Sequence, residues 1–223
     1  MKRRIRIQGM LMFLAVLLAI LLRNFIFQNW GALSIDMVFD LAGLVMIFKG
    51  FLLRITARGY KEENSAYGHS LVKSGPYAYT RNPMYFGTLL IGLGVTLMLF
   101  KIWVAAIYLT AYLTIYVYQI KKEEVWLLRE FGKEYADYCL TVPRFFPCAC
   151  RLTGFVQSLC FKSSWVKKER QSFLIVFCLV MAVEAANDVM AFGLKAFAVE
   201  FIVLTLVLAI LLRATAFLKR SEA

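Results

Sequence analysis

The residues able to do chemistry fall in two polar stretches. One is Leu71 to Gly87, LVKSGPYAYTRNPMYFG; the other is Glu123 to Arg144, EEVWLLREFGKEYADYCLTVPR. Tyr77, Tyr79 and Tyr85, with backbone groups exposed at Pro76 and Pro83, can grip an adenine and its ribose. A carboxylate at Glu123 or Glu124 can hold a cationic amino group. Arg81 and Arg144 can each hold a carboxylate or phosphate through paired N–H donors. The sequence has no Ser/His/Asp set, no phosphate-binding P-loop and no GxGxxG after a strand. His69 is the sole histidine, which is thin material for acid–base work. Cys148-Ala149-Cys150 lacks zinc spacing and has no histidine nearby, so no metal site is expected.

The elements that must position these groups follow from the prolines and the apolar runs. Proline cannot continue a helix and biases the preceding residue towards an extended conformation. Gly75-Pro76 and Asn82-Pro83 therefore mark two turns, with a new helix starting at Pro83. The helix from Pro83 and the helix from Ile102 form a tight antiparallel hairpin, which sets their inner ends side by side. Tyr112, Tyr116 and Gln119 or Glu123 share one face of the second helix, aimed at one neighbour. From Glu123 to Arg144, Val125, Leu128, Phe131, Tyr135 and Tyr138 recur between charges. This spacing predicts a separate amphipathic helix at the membrane interface, interrupted mildly at Gly132 and ended by Pro143 and Pro147.

The chain has 223 residues, 61% of them hydrophobic, and a mean hydropathy of +0.68, too apolar for a soluble domain of this size. Six stretches approach the length needed to cross a core of ~30 Å: Met10–Phe27, Ile35–Ile55, Pro83–Phe100, Ile102–Ile120, Ser172–Val189 and Ala196–Phe217. The expected fold is all-α and integral to the membrane, a single domain over residues 1–223 with its polar chemistry in residues 71–147. The basic start resembles a signal peptide, but no small-residue cleavage site follows, so it is read as a retained helix. With six alternating helices and both termini in the cytoplasm, nearly all Lys and Arg fall inside. The exceptions are Lys101, Lys195 and Arg23. The net charge of +12 then implies attraction to anionic lipid, not nucleic acid. A polar loop, ARGYKEENSAYGHS, is expected before the elbow, and a basic connector from Cys148 to Arg170. Glu184, Asp188, Lys195 and Glu200 sit near the outer ends of the last two helices. A Glu184–Lys195 or Lys195–Glu200 ion pair is the economical reading there.

The pattern GPYAYTRNPMYFG, followed by EEVWLLREFGKEYADYCLTVPRFFP, resembles the isoprenylcysteine carboxyl methyltransferase and phospholipid methyltransferase superfamily. These are integral membrane enzymes that use S-adenosylmethionine. The resemblance covers Leu71 to Pro147, about a third of the chain. It puts the family's Arg-His-Pro-x-Tyr signature on Arg81, Asn82, Pro83 and Tyr85, its paired glutamates on Glu123 and Glu124, and its closing Arg-x-x-Pro on Arg144 and Pro147. It implies a cofactor pocket of Tyr77, Tyr79, Asn82, Pro83, Tyr85, Gly87, Glu123 and Glu124, with Arg144, Glu124 and Arg81 as catalytic candidates. Asn82 stands where many members have His. It can donate and accept hydrogen bonds, but it cannot take a proton at neutral pH.

The implied reaction is methyl transfer to a lipid-like or prenylated acceptor, with the site facing the cytoplasm. It needs no metal, and positioning of the reactants can supply ~7–11 kcal/mol. A carboxylate acceptor needs only orientation, for which Arg144 is the candidate. An amine acceptor, as in phospholipid N-methylation, needs a glutamate as base. Two other classes compete: an NADPH-dependent membrane reductase, which would favour a phosphate-binding basic cluster, and a small transporter, which would string ionisable groups through several helices.

Overall fold

The computed structural model describes residues 23–27, 33–65, 69–148, 151–159, 162–191, 198–199, 201–210 and 213. Its helices are α1 (Arg23–Ile26), α2 (Leu33–Asn64), α3 (Pro83–Leu99), α4 (Ile102–Thr141), α5 (Leu152–Gln157) and α6 (Ser163–Ala191), followed by α7 (Phe201–Ile210). A 3-10 turn, Gly75–Ala78, precedes α3. Among the described residues the only β pairing is an isolated bridge between Phe27 and Phe100. The first expected span lies mostly outside the described residues, as do Lys195 and Glu200.

The helix pair α2–α3 is the frame. Gly43 and Gly50 on α2 are seven residues apart, as are Gly87 and Gly94 on α3. A Cβ on Gly50 would lie 2.7 Å from the Gly87 carbonyl oxygen, and one on Gly94 would lie 2.5 Å from that of Gly43. Backbone therefore meets backbone at two levels, an approach that only residues without a side chain allow. Beside this seam, Leu44, Ile47 and Phe51 pack with Met98 and Leu99 of α3, Val180 of α6 and Leu204 of α7.

Among the described residues, one helix, α4, is long and apolar enough to cross a membrane. Its 40 residues reach ~60 Å, well beyond a ~30 Å hydrocarbon core. The boundary expected near Ile120 is absent. The helix runs on through Glu123 and Glu124, and its one break is Gly132, at φ 52° and ψ −124°. The expected amphipathic helix is thus the distal half of α4, not a separate element. Uninterrupted helix formers from Gln119 to Phe131 give the backbone no reason to stop.

Two other expected loops are helical. The polar stretch after Ile55 continues α2 to Asn64, and the basic connector's end opens α6 at Ser163. These two extensions hold each other. Trp165 lies against Gly59, where a Cβ would be 2.1 Å from its ring, and its indole N–H donates to Glu63 at 2.7 Å. Lys162 pairs with the same carboxylate at 2.8 Å. Glu169, 1% exposed, takes Arg58 at 2.8 Å and Arg54 at 3.2 Å. Burial alone would raise the Glu169 carboxyl, but hydrogen bonds from Arg54 and Arg58 outweigh it and hold its pKa down.

Candidate functional site

The elbow is built by three local devices. Gly75 has φ +60°, with the Tyr60 ring where a side chain would point, and the Tyr60 hydroxyl donates to Ser74 at 2.9 Å. Pro76 is the second residue of the 3-10 turn, and Pro83 opens α3 at its first position. The buried Thr80 hydroxyl donates to the Phe145 carbonyl at 2.7 Å, and the Arg81 amide donates to the Pro143 carbonyl at 3.0 Å. The segment after α4 is thereby strapped across the elbow.

Opposite the elbow, α4 presents its tyrosine face. Tyr112 donates to the Tyr85 carbonyl at 2.7 Å and stacks on Tyr116 with centroids 4.0 Å apart. Tyr116 in turn lies 5.2 Å from the Tyr85 ring. The elbow and this helix flank one cleft of about 180 Å³, open at its mouth and smaller than the ~300–1,000 Å³ usual for small-molecule sites. Its walls hold Tyr77, Arg81, Asn82, Pro83, Tyr85, Glu123 and Glu124.

The two glutamates differ in their partners. Glu124 is clamped by two arginines: Arg81 Nη1 at 3.0 Å, and Arg144 Nη2 at 2.8 Å with Nε at 3.0 Å. Arg81 and Glu124 are 11% and 13% exposed, whereas Arg144 is 45% exposed. The bond to Glu124 raises the Arg144 pKa. Glu123 instead accepts from neutral donors, the Tyr85 hydroxyl and Gln119 Nε2 at 3.2 Å. Among the described residues it forms no ion pair. Burial first, and the Glu123 charge second, push the Tyr77 phenol above its ordinary pKa.

Three expected site residues lie outside the cleft wall. Tyr79 points the other way: its ring packs on Phe155 at 5.8 Å, and its hydroxyl fills the space beside Gly154. Gly87 is consumed by the α2–α3 seam, because its Cβ position is occupied by the Gly50 carbonyl. Arg144 stays at the rim, engaged by Glu124.

Other residues enter the wall unannounced. Tyr138, Tyr135, Phe131, Leu127 and Trp126 of distal α4 line it, as do Lys61 and Ser65 from the end of α2. Tyr138 donates to the Tyr77 carbonyl at 2.6 Å, and burial raises its own phenol. The Phe131, Tyr135, Tyr138 spacing was visible as an apolar stripe; what it faced was not. Outside the cleft, the buried Asp36, Asp40 and Glu184 carboxylates lie within 4.8 Å of one another. Glu184 thus sits beside α2 acids that the sequence reading did not bring to it.

A model of the phospholipid methyltransferase family matches residues 38–134. A protein-S-isoprenylcysteine O-methyltransferase of Rattus norvegicus is 32% identical over 114 residues, 48% of this chain and 40% of that protein. The Mus musculus protein of the same name is 34% identical over 79 residues, 35% of this chain and 28% of that one. The cobalt-zinc-cadmium resistance protein CzcN of Cupriavidus metallidurans is 37% identical over 79 residues, 35% of this chain and 36% of that one. This chain thus spans less than half the length of these curated relatives. No solved structure matches. Residues 38–134, which contain both the elbow and the paired glutamates, are thus similar to the phospholipid methyltransferase family, and part of the chain to protein-S-isoprenylcysteine O-methyltransferases.

Proposed function

We propose that this protein is a multi-pass membrane methyltransferase that transfers a methyl group from S-adenosylmethionine to a lipophilic acceptor, and that the cleft between the elbow and α4 is its active site. The observation that carries this reading is the cleft itself. It opens to solvent, Tyr77, Tyr85, Tyr135 and Tyr138 are in its walls, and Glu123 offers a carboxylate not neutralised by a described cation. Tyr77, Tyr85 and the backbone around Pro83 hold the nucleoside, and Glu123 takes the cofactor's ammonium group. Glu124 and Arg81 keep the two walls in register. When bound, S-adenosylmethionine supplies a methyl group on a sulfonium for in-line displacement. The tyrosine walls exclude water and face that cation with ring surfaces.

Arg144, half-exposed at the rim, is assigned to orient an acceptor carboxylate, in exchange with Glu124. A prenylated cysteine carboxylate, the acceptor named for the two mammalian relatives, fits this arrangement. The matched family's description favours a second acceptor, a phospholipid amine. That chemistry needs a base, which one of the paired glutamates would have to supply. A reductase binding NADPH would need uncommitted cations for its phosphate, whereas Arg81 and Arg144 are both engaged by Glu124.

The test is transfer of label from methyl-tritiated S-adenosylmethionine by the full chain in lipid nanodiscs, offered farnesylcysteine or phosphatidylethanolamine. Label in the first product supports the favoured reading, and label in the second supports the alternative. Absence of cofactor binding in any lipid ends both.

A further inference from the structure

Asn82 precedes α3 at the capping position, where asparagine ordinarily accepts a hydrogen bond from the first helical turn. Here its side chain makes no capping bond. Its amide nitrogen instead donates to the Arg144 carbonyl at 2.8 Å, across 62 residues of sequence. A carbonyl can only accept, so this contact requires the donor half of the side chain. The bond completes a ladder: Thr80 donates to Phe145, Arg81 to Pro143 and Asn82 to Arg144. Three consecutive elbow residues thus hold three consecutive strap residues. Of the three strap residues, Arg144, held by Asn82, is the one whose guanidinium reaches Glu124.

We propose that Asn82 is a positioning residue whose amide N–H latches the 143–146 strap onto the elbow and, through Arg144, fixes Glu124 in the cleft wall. The role is donation, not proton transfer. That explains how asparagine can serve at this position: a histidine N–H could donate to the same carbonyl, and a group unable to donate could not. The inference rests on the proposed cofactor cleft for its purpose, but the latch itself is readable without cofactor.

The test compares wild type with Asn82→His, Asn82→Ala and Asn82→Asp, each as the full chain in nanodiscs. Hydrogen exchange at the Arg81 amide, which donates to the strap, reads the latch. S-adenosylhomocysteine affinity reads its consequence. Loss of one such bond should speed exchange and weaken binding about 5-fold in the Ala variant. The Asp variant should do at least as badly, because a carboxylate then faces a carbonyl. The His variant should keep exchange at the Arg81 amide within about 2-fold of wild type, given a retained donor. The proposal is overturned if His behaves like Ala and Asp, or if Ala and Asp exchange like wild type. If wild type binds no S-adenosylhomocysteine, the cofactor reading falls, while the exchange pattern still decides the latch.

Discussion

Exchanging Glu124 for Gln should cost stability and cofactor affinity together, whereas exchanging Glu123 for Gln should cost affinity alone. Glu124 answers two guanidinium groups. Its contact with Arg144 is half-exposed, a class worth ~0.2–1 kcal/mol. Its contact with Arg81 is shielded on both sides. Breaking fully buried pairs costs ~3–5 kcal/mol, and the residual exposure here lowers that to roughly 2–3. Arg81 Nε already lacks a partner among the described residues, which leaves the guanidinium, apart from Glu124, only the weak Cys139 sulfur acceptor at 2.6 Å among its described side-chain partners. Glu124→Gln should therefore lose about 2–4 kcal/mol in total. Glu123→Gln keeps an acceptor for Tyr85 and breaks no described ion pair, so its stability should stay within about 1 kcal/mol of wild type. It removes the charge offered to the cofactor's ammonium. A charge-assisted bond of ~1.5–3 kcal/mol predicts a 10- to 100-fold weaker Kd. Detergent-titrated unfolding and S-adenosylhomocysteine titration measure the two quantities. Equal destabilisation by both variants, or full affinity in Glu123→Gln, would refute the division of roles.

Four further outcomes follow from other parts of the molecule. Glu169→Gln should destabilise by ~2–3 kcal/mol, because it leaves Arg54 and Arg58 around a buried neutral group while their own exposure lowers the full buried-pair cost; unfolding titrations check this. The same carboxyl has a lowered folded pKa, so its stabilisation is complete above about pH 4.5 and declines as pH falls through the lowered value; a pH series lacking that acid-side loss in wild type, relative to Glu169→Gln, would count against it. Gly132→Ala meets no atom within 4 Å of the new Cβ, so its cost is backbone strain, ~1–3 kcal/mol. Gly94→Val should fail by a different route, forcing α2 and α3 apart, and should lose more stability than Gly132→Ala when both are unfolded side by side.

What was legible in the sequence was local. Pro83 announces the start of α3, and the Tyr112, Tyr116, Glu123 spacing announces a face aimed at one neighbour. What was not legible depended on distant partners. The KEEN end of α2 reads as loop because its stabilising groups, Trp165 and Lys162, lie a hundred residues on. Gly87 reads as a pocket glycine until Gly50 is set against it. Glu123 and Glu124 look interchangeable on paper. Adjacent helical residues point about 100° apart, however, and that turn gives one to Tyr85 and the other to two arginines.

The most direct measurement is photolabelling of the full chain in nanodiscs with methyl-tritiated S-adenosylmethionine, followed by peptide mapping. The account predicts saturable label, competed by S-adenosylhomocysteine, in peptides covering residues 71–87 and 123–138. Label confined to other parts of the chain, or label that excess S-adenosylhomocysteine fails to displace, would contradict it.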